Sequence, residues 1–453
     1  MNSERDELKR SGQGHIVRHM DSLEGELRER LARQLGRFDY TLVRELRERA
    51  RRHAAAEQPG EFEPAPVVRA GRPDGQTAAS RRVGEEAIRN GEAAAFVAAG
   101  GQGTRLRYDG PKGCYPIGPI SGKSLFQIHA EKILASARRY AAAIPFCVMT
   151  SETNDEAVRA FFREERFFGL SPNDVFFCVQ RMLPAFDREG RFLLDEAGHV
   201  FCSPDGHGGA FFALQSSGAL ADMKRRGIRH ISYFQVDNPL VPVIDPLFIG
   251  EHIRTSSEMS SKVLAKREPL EKLGVFGRFG GRLRVIEYSD MSEELQRRTL
   301  PDGSLKYAFG SIAIHVVDAG FAERMGSADL PFHVAVKRVP CLNEKGERVE
   351  PDEANAVKFE RFIFDAIPLA RNPLVMEVRR EDEFAPVKNI SGEDSAETAR
   401  AAMMDQHRRW LWDAGLDVPA NVRVEISPLL ALDADEVRAK ARGLEVRDPL
   451  YLG

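Results

Sequence analysis

The chain of 453 residues has few cysteines, and those present form no recognisable pattern. There are five, at positions 114, 147, 178, 202 and 341, so the number is odd and no two stand in a C-x-x-C pair. This spacing argues against a zinc site of the C-x-x-C kind and against the disulfide framework of a small secreted domain. Because the N-terminus is charged and carries no apolar signal region, we expect a cytoplasmic protein.

Long apolar runs and a strong excess of one charge are also missing. No window approaches about 18 uninterrupted apolar residues, so no membrane partner is expected. The formal net charge is −3, with basic and acidic residues interleaved, which argues against a nucleic-acid partner. No internal repeat or low-complexity tract is apparent. The length instead predicts two or three domains or subdomains.

The most informative segment covers residues 96–113, FVAAGGQGTRLRYDGPKG. A short apolar run ends at several glycines, which predicts a buried strand followed by a turn. Backbone N–H groups at Gly100 and Gly101 can approach a phosphate closely because glycine has no Cβ. Arg105 and Lys112 add two positive charges, so the segment favours polyphosphate binding. A plain glycine turn between a strand and a helix is the alternative.

Two better-known nucleotide motifs are excluded by their spacing. A Rossmann G-x-G-x-x-G motif would need a third glycine where Leu106 stands. The stretch 118–124, GPISGKS, has three residues between its glycines, whereas a P-loop has four. No Ser/His/Asp or Cys/His arrangement indicates a covalent nucleophile, so positioning and electrostatics are the expected means of catalysis.

Strand-like and helix-like segments alternate from about residue 92 to 395. Strands are predicted at FVAA, PFCVMT, DVFFCV, HISYFQV and VLAK, and helical sequence at 123–141 and 208–227. This alternation predicts an α/β fold with a largely parallel sheet covered by helices on both faces. Because ligands bind at the carboxyl ends of such strands, the segments GGQG, MTSE, VQRM and VDN should meet at one rim. Antiparallel additions are expected at 275–290 and 338–350.

Three domains are predicted along the chain. Residues 1–90 form a helical N-terminal segment and linker, because apolar residues recur at helical intervals up to about residue 56, while 57–80 lack periodicity. The helical part either packs on the body or remains a solvated charged arm. Residues 91–395 form the catalytic domain, and 396–453 a small C-terminal domain.

Segments from nearly the whole chain resemble one enzyme family. They include GGQGTRL, PKG, KSLFQIHAEKI, MLPAFD, SPDGHGG, VDNPLV, EYSD and REDEFAPVKN. In this order they resemble the eukaryotic-type UDP-N-acetylhexosamine pyrophosphorylases of the UDP-sugar pyrophosphorylase family. The resemblance implies a Rossmann-like nucleotidyltransferase core of the glycosyltransferase-A type. It also implies UTP, a sugar 1-phosphate and pyrophosphate as ligands, Mg²⁺ as cofactor, and UDP-N-acetylglucosamine as the favoured product.

The resemblance assigns roles to individual residues. Catalytic phosphate contacts fall to Arg105, Lys112 and Lys388, and the metal to Asp237. Nucleotide binding falls to Ala98, Ala99, Gly100, Gly101, Gln180 and Gly206, and sugar binding to His207, Asn238, Glu287, Tyr288 and Ser311. On residue grounds alone, Asp237 could instead cap a turn, and Lys388 and Gln180 could be ordinary solvated side chains.

Two positions depart from the acetylhexosamine enzymes. His207 and Ser311 both stand where those enzymes carry Asn, so relaxed sugar selectivity is predicted. A pyrophosphorylase for glucose 1-phosphate, or one with broad UDP-sugar specificity, is therefore an alternative. An inactive UDP-sugar-binding regulatory protein is a second alternative. A protein that only binds UDP-sugars would need fewer of the charges that are supplied by Arg105, Lys112, Asp237 and Lys388.

Overall fold

The computed structural model describes residues 2–52, 60–69, 75–343, 346–440 and 445–453. The chain divides into two compact units, each assembled from segments that are far apart in the sequence. The first unit comprises Met1–Glu57, Arg181–Gly209 and Leu330–Ile363. The second comprises Gln58–Gln180, Ala210–Asp329 and Phe364–Gly453.

Helices account for much of the described chain. They are α1 (Asn2–Arg10), α2 (Gly14–Ser22), α3 (Gly25–Leu35), α4 (Tyr40–Arg51), α5 (Gln76–Arg89), α6 (Leu125–Tyr140), α7 (Asp155–Glu164), α8 (Ala210–Ser216), α9 (Ala219–Arg226), α10 (Pro246–Arg254), α11 (Glu293–Gln296), α12 (Ala319–Gly326), α13 (Arg380–Glu383), α14 (Ala396–Asp413) and α15 (Ala434–Lys440). None of these described helices combines the length and the apolarity needed to cross a membrane.

The strands are short and lie between these helices. They are β1 (Glu63–Pro64), β2 (Val68–Arg69), β3 (Ala93–Ala98), β4 (Phe146–Thr150), β5 (Val175–Val179), β6 (Met182–Pro184), β7 (Cys202–Pro204), β8 (His230–Gln235), β9 (Met259–Ala265), β10 (Val275–Phe279), β11 (Arg282–Ile286), β12 (Phe309–Asp318), β13 (His333–Lys337), β14 (Cys341–Leu342), β15 (Arg348–Val349), β16 (Ala356–Glu360), β17 (Leu374–Glu377), β18 (Val424–Ile426) and β19 (Leu450–Leu452).

The second unit is built around a mixed sheet with the order β2-β17-β9-β12-β8-β3-β4-β5. The strands β8, β3, β4 and β5 are mutually parallel, whereas β12 runs antiparallel to β8 and β9. Every residue of β3 is buried, as expected for a parallel strand covered on both faces. The predicted α/β fold and its five strand candidates are therefore confirmed.

The prediction of one continuous helix over residues 208–227 was wrong. Residues 208–227 contain two helices, α8 and α9, rather than one. The break falls at Gly218, which has a left-handed φ of 78° and precedes the first residue of α9. Glycine adopts this conformation without steric cost, so the chain turns there although the flanking sequence has a helical pattern.

The first unit contains α1 to α4 together with β6, β7 and β13 to β16. Leu8, Ile16 and Leu31 are fully buried in one apolar cluster with Phe186 and Phe359. The N-terminal helices are thus packed rather than solvated. Of the predicted linker 57–80, residues 57–59 and 70–74 lie outside the described residues, and α5 already begins within the rest.

The two predicted antiparallel additions are confirmed. The strands β10 and β11 pair around the glycine turn at 280–281, and β14 pairs with β15. Part of the turn between the latter two, residues 344–345, lies outside the described residues. Near the C-terminus, β18 pairs in parallel with β19, and Val424, Ile426 and Leu450 belong to a small apolar cluster with Leu411 of α14.

Candidate active site

The segments that follow four parallel strands lie side by side at one edge of the sheet in the second unit. Gly100 follows β3, Ser151 follows β4, Gln180 follows β5 and Asp237 follows β8. Since these strands are neighbours in the order β8-β3-β4-β5, the four residues share one rim. The predicted meeting of the strand-end segments is confirmed for these positions. This rim is the carboxyl edge at which α/β sheets bind ligands.

Two polar side chains hold the backbone of the loop around Gly100 and Gly101, here called the glycine loop. Ser151 Oγ donates to the carbonyl of Gly100 at 3.0 Å, and Asn154 Nδ2 donates to the carbonyl of Ala99 at 2.9 Å. Asn154 Oδ1 accepts from the backbone N–H of Ser151 at 2.8 Å. The loop backbone is therefore preorganised before any ligand arrives. Sequence reasoning did not single out Ser151 and Asn154, whose signal was a pair of small polar residues after β4.

Gln180 packs directly against this loop. A Cβ at position 100 would lie 1.8 Å from Gln180 Nε2, so only glycine leaves room for the amide. The Gln180 backbone continues β5 by donating to the carbonyl of Thr150 at 2.9 Å. Ala98 accepts a bond of 3.1 Å from the backbone of Val236, which ties the end of β3 to the segment carrying Asp237.

The rest of the loop folds back on itself and presents two cations. Lys112 N donates to the carbonyl of Gly101 at 3.1 Å, and Gly103 N donates to that of Gly110 at 2.9 Å. Arg105 is exposed in a short 3₁₀ turn and makes no hydrogen bond or ion pair with the described residues. Its guanidinium is therefore available to an anion.

Lys112 and Asp237 form the central charge pair of the rim. Lys112 Nζ lies 3.0 Å from Asp237 Oδ2, and the two side chains are 13% and 16% exposed. Burial alone would raise the pKa of Asp237, but Lys112 and then Lys388 outweigh it, so the pKa lies below its ordinary value. The carboxylate is therefore ionised at neutral pH and faces two lysines.

Lys388 reaches this pair on a segment held by backbone hydrogen bonds. Val387 N donates to the carbonyl of Asp237 at 2.8 Å, and Lys388 Nζ donates to Asp394 Oδ2 at 3.0 Å. The structure thus brings together Lys112, Asp237 and Lys388, which are remote in the sequence. Asp394 is a further carboxylate that the sequence reasoning missed.

The donor set at Asp237 fits one kind of metal ion. Among the described residues, no cluster of three or more His, Cys, Asp or Glu side chains could hold a metal by itself. Magnesium is commonly held by one or two carboxylates, with phosphate oxygens and water completing its shell. A single ionised carboxylate that faces two lysines suits that mode.

Asn238 mainly positions the chain. Its Nδ2 donates to the carbonyl of Glu383 at 2.7 Å, and its Oδ1 accepts from the backbone N–H of Ala385 at 3.1 Å. The side chain is 3% exposed. The Asn238 amide therefore joins the segment after β8 to the segment that carries Lys388.

Glu287 and Ser311 lie on either side of Gly274. Ser311 N donates to the Gly274 carbonyl at 2.8 Å, and a Cβ on Gly274 would lie 3.1 Å from Glu287 Oε1. Tyr288 begins a 3₁₀ turn and is 36% exposed. A β-bulge follows Ser311 in β12, where Ala313 has a φ of 54°. These three predicted sugar contacts are thus grouped near the ends of β10, β11 and β12.

Gly206 and His207 belong to the first unit. Gly206 has a φ of 84°, and a Cβ there would lie 2.5 Å from the carbonyl oxygen of Arg361. His207 Nδ1 accepts from the backbone N–H of Ile363 at 3.0 Å, and its ring stacks on Phe362. Burial, followed by the charge of His333, lowers the pKa of His207 to about 4. At neutral pH the ring is therefore neutral and carries its proton on Nε2.

A comparison with family models shows the protein family to which the chain belongs. The model described as UTP–glucose-1-phosphate uridylyltransferase matches residues 91–442. The chain belongs to this family. Its relatives in the uridylyltransferase family include the human UDP-N-acetylhexosamine pyrophosphorylase-like protein 1, which is 37% identical over 98% of this chain and 96% of the human one.

Other relatives in the uridylyltransferase family support the same assignment. The UDP-N-acetylglucosamine pyrophosphorylase of Saccharomyces cerevisiae is 39% identical over 77% of this chain and 76% of its own. Among solved structures, the uridine diphosphate N-acetylglucosamine pyrophosphorylase of Trypanosoma brucei, in complex with inhibitor, superposes with a TM-score of 0.84. That match has 28% sequence identity and covers 99% of this chain and 98% of the other.

Proposed function

We propose that the chain is a uridylyltransferase that converts UTP and N-acetylglucosamine 1-phosphate into UDP-N-acetylglucosamine and pyrophosphate. Family membership supports nucleotidyl transfer, and the names of the relatives support the acetylated sugar. The observation that carries the proposal is the grouping of Lys112, Asp237 and Lys388 beside a glycine loop preorganised by Ser151 and Asn154. An inactive binder would not need this concentration of charge.

The reaction requires one bond to form and one to break at phosphorus. A phosphate oxygen of the sugar 1-phosphate attacks the α-phosphorus of UTP, and the bond to the β-phosphate oxygen breaks, so that pyrophosphate leaves in line. Lys112, Lys388 and Arg105 stabilise the charge that develops on the phosphate oxygens. When bound at Asp237, Mg²⁺ would neutralise part of the same charge.

The uracil ring is assigned to Gln180 at the edge of the glycine loop. A side-chain amide offers one acceptor and two donors, which complement the alternating edge of uracil. Because Gly100 leaves space for this amide, the glycine loop and Gln180 together form the proposed uracil site. Gly206 is proposed to allow close approach of the backbone to nucleotide and sugar.

A broader sugar range is the second candidate, and His207 and Ser311 favour it. Each stands where the acetylhexosamine enzymes carry an asparagine. We propose that glucose 1-phosphate competes with N-acetylglucosamine 1-phosphate, with Glu287 and Tyr288 contacting hydroxyl groups that the two sugars share. A cytoplasmic location is also proposed, because all five cysteines are described and none forms a disulfide.

The test is an assay of the purified protein with UTP, Mg²⁺ and a panel of sugar 1-phosphates, scored by pyrophosphate release. Release with N-acetylglucosamine 1-phosphate, and slower release with glucose 1-phosphate, is expected. No release with any sugar 1-phosphate would refute the enzymatic proposal. Release that persists after chelation of all divalent ions would refute the role of magnesium alone.

A further inference from the structure

A cavity of about 420 Å³ lies in the second unit between α6, α14 and the segment that follows β8. Its volume is in the range of small-molecule sites. Among the described residues that line it, none is assigned above to UTP, sugar or metal binding. The cavity is therefore separate from the strand-end site and needs its own explanation.

The walls combine a large apolar surface with charged groups. The apolar side chains include Leu240, Leu247, Met376, Met403, Trp410 and Ile426. Such a lining suits the body of an apolar molecule and disfavours a polyphosphate, which would lose its hydration there. The charged groups must then define the polar end of the ligand.

Every carboxylate in the lining already has a partner. Asp245 and Glu383 accept from Lys262, Asp382 accepts from Arg409, Glu425 accepts from Ser121, Asp433 accepts from Arg139, and Asp435 accepts from Arg438. Each of these carboxylates therefore already accepts a hydrogen bond, and a cationic ligand would have to displace an existing contact.

Two cations in the lining, Lys132 and Arg81, form no ion pair with the described residues, although Glu383 attracts Lys132, and Asp245 and Asp433 attract Arg81, at longer range. Lys132 Nζ donates to the carbonyls of Pro239 at 2.6 Å and Val241 at 2.9 Å, and forms no ion pair with the described residues. An ammonium has three donors, so one remains. Arg81 is exposed and makes no hydrogen bond or ion pair with the described residues. Lys132 and Arg81 are therefore the lining groups that can bind an anion without displacing an existing ion pair.

We propose that this cavity is a second ligand site, which binds an amphipathic small-molecule anion with its carboxylate or phosphate on Lys132 and its apolar body against Met403 and Trp410. The proposal goes beyond the catalytic function, because binding at this site does not depend on the reaction at the rim.

The cavity wall is continuous with the active-site loops. Lys132 holds Pro239, the residue after Asn238, and the Asn238 amide holds the backbone at Glu383 and Ala385. Two residues beyond Ala385, Val387 N donates to the carbonyl of Asp237. A ligand on Lys132 therefore acts on the segments that carry Asp237 and Lys388, and its occupation changes turnover.

The test uses 4-phenylbutyrate as the probe and the uncharged 4-phenylbutanamide as its matched control, with binding measured by calorimetry. The carboxylate should bind at least tenfold more tightly, as expected for one charge-assisted hydrogen bond. Burial, which the nearby carboxylate of Glu383 only partly offsets, lowers the pKa of Lys132 to about 7, so binding at pH 8 should take up a proton, seen as a heat that depends on the buffer.

Three variants locate the site. Lys132→Met should weaken binding of 4-phenylbutyrate at least tenfold. Leu432→Trp, which puts a larger side chain in the cavity lining while keeping Lys132, should abolish binding. Lys224→Met, an exposed lysine on α9 outside the cavity, should change nothing. Equal affinity for the amide, or unchanged binding in Leu432→Trp, would overturn the site even if Lys132→Met failed to fold.

The coupling has a separate readout in the parent protein. Saturating 4-phenylbutyrate should change kcat/KM for UTP at least twofold, while 4-phenylbutanamide at the same concentration should not. Binding with unaltered kcat/KM would overturn the coupling. If the parent showed no uridylyltransferase activity without the probe, the catalytic proposal would fail, while the binding measurements would still decide the second site.

Discussion

At the scale of single residues, the proposed function depends most on the pair formed by Lys112 and Asp237. Lys112→Ala removes a positioned positive charge from the proposed phosphate site and leaves Lys388 as the remaining described lysine that acts on Asp237. We expect kcat/KM to fall roughly a hundredfold or more, as for loss of one preorganised electrostatic donor. Steady-state kinetics check this, with Lys224→Ala as the surface control. A folded Lys112→Ala variant with a near-normal rate would contradict the assignment.

Ser311 is the residue at which we expect a substitution to change the choice of sugar. It is half-buried between Gly274 and the bulge of β12, and its hydroxyl is shorter than the amide of the related enzymes. Ser311→Asn should shift the kcat/KM ratio towards N-acetylglucosamine 1-phosphate by about two- to tenfold, the worth of one neutral hydrogen bond. Ratios for both sugars in parent and variant decide it, and an unchanged ratio would place selectivity elsewhere.

Asp205 makes stability depend on pH. It is 1% exposed, and neither carboxylate oxygen accepts a hydrogen bond from another described residue. Burial raises its pKa to about 7 despite the nearby charges of Arg181 and Arg361. Because the folded pKa lies above the unfolded value of about 3.9, ionisation destabilises the fold as pH rises from about 4 to 7. Asp205→Asn should therefore stabilise the protein by at least ~1 kcal/mol at pH 8 and have little effect near pH 4. Thermal unfolding at the two pH values checks this. A larger gain in acid would contradict it.

At the scale of elements, the sequence predicted the strands well because each is a short apolar run bounded by polar or glycine residues. The strands β3, β4, β5 and β8 and the rim they share follow from that pattern. The contacts across the rim do not. Nothing local reveals that Asn154 holds Ala99 or that Val387 bonds to Asp237, since these contacts arise only when distant segments pack together.

The contact between the glycine loop and β5 gives a prediction at this scale. In Gly100→Ala, the new Cβ would lie 1.8 Å from Gln180 Nε2, so the amide must move, while the backbone can remain. We expect lower activity and a reduced preference for UTP over CTP with a nearly unchanged melting temperature. Gly14→Ala serves as control, because a Cβ there meets nothing within 4 Å. Undiminished base preference would remove Gln180 from the nucleotide site.

At the scale of the whole molecule, the division into units could not be read from the sequence. The first unit gathers an N-terminal stretch with segments around residues 181–209 and 330–363, and no composition change marks these joins. Its core becomes visible only when Leu8 and Ile16 are seen beside Phe186 and Phe359. The order of motifs along the chain, in contrast, was sufficient to indicate the family to which the chain belongs.

The most direct test of the central claim follows the α-phosphate of UTP. The protein is incubated with N-acetylglucosamine 1-phosphate, Mg²⁺ and UTP labelled at the α-phosphorus, and the products are separated. Direct transfer predicts that all converted label appears in UDP-N-acetylglucosamine, with none in pyrophosphate and none bound to the protein. Label that remains in UTP while N-acetylglucosamine 1-phosphate is unconsumed, or label covalently attached to the chain, would contradict the account.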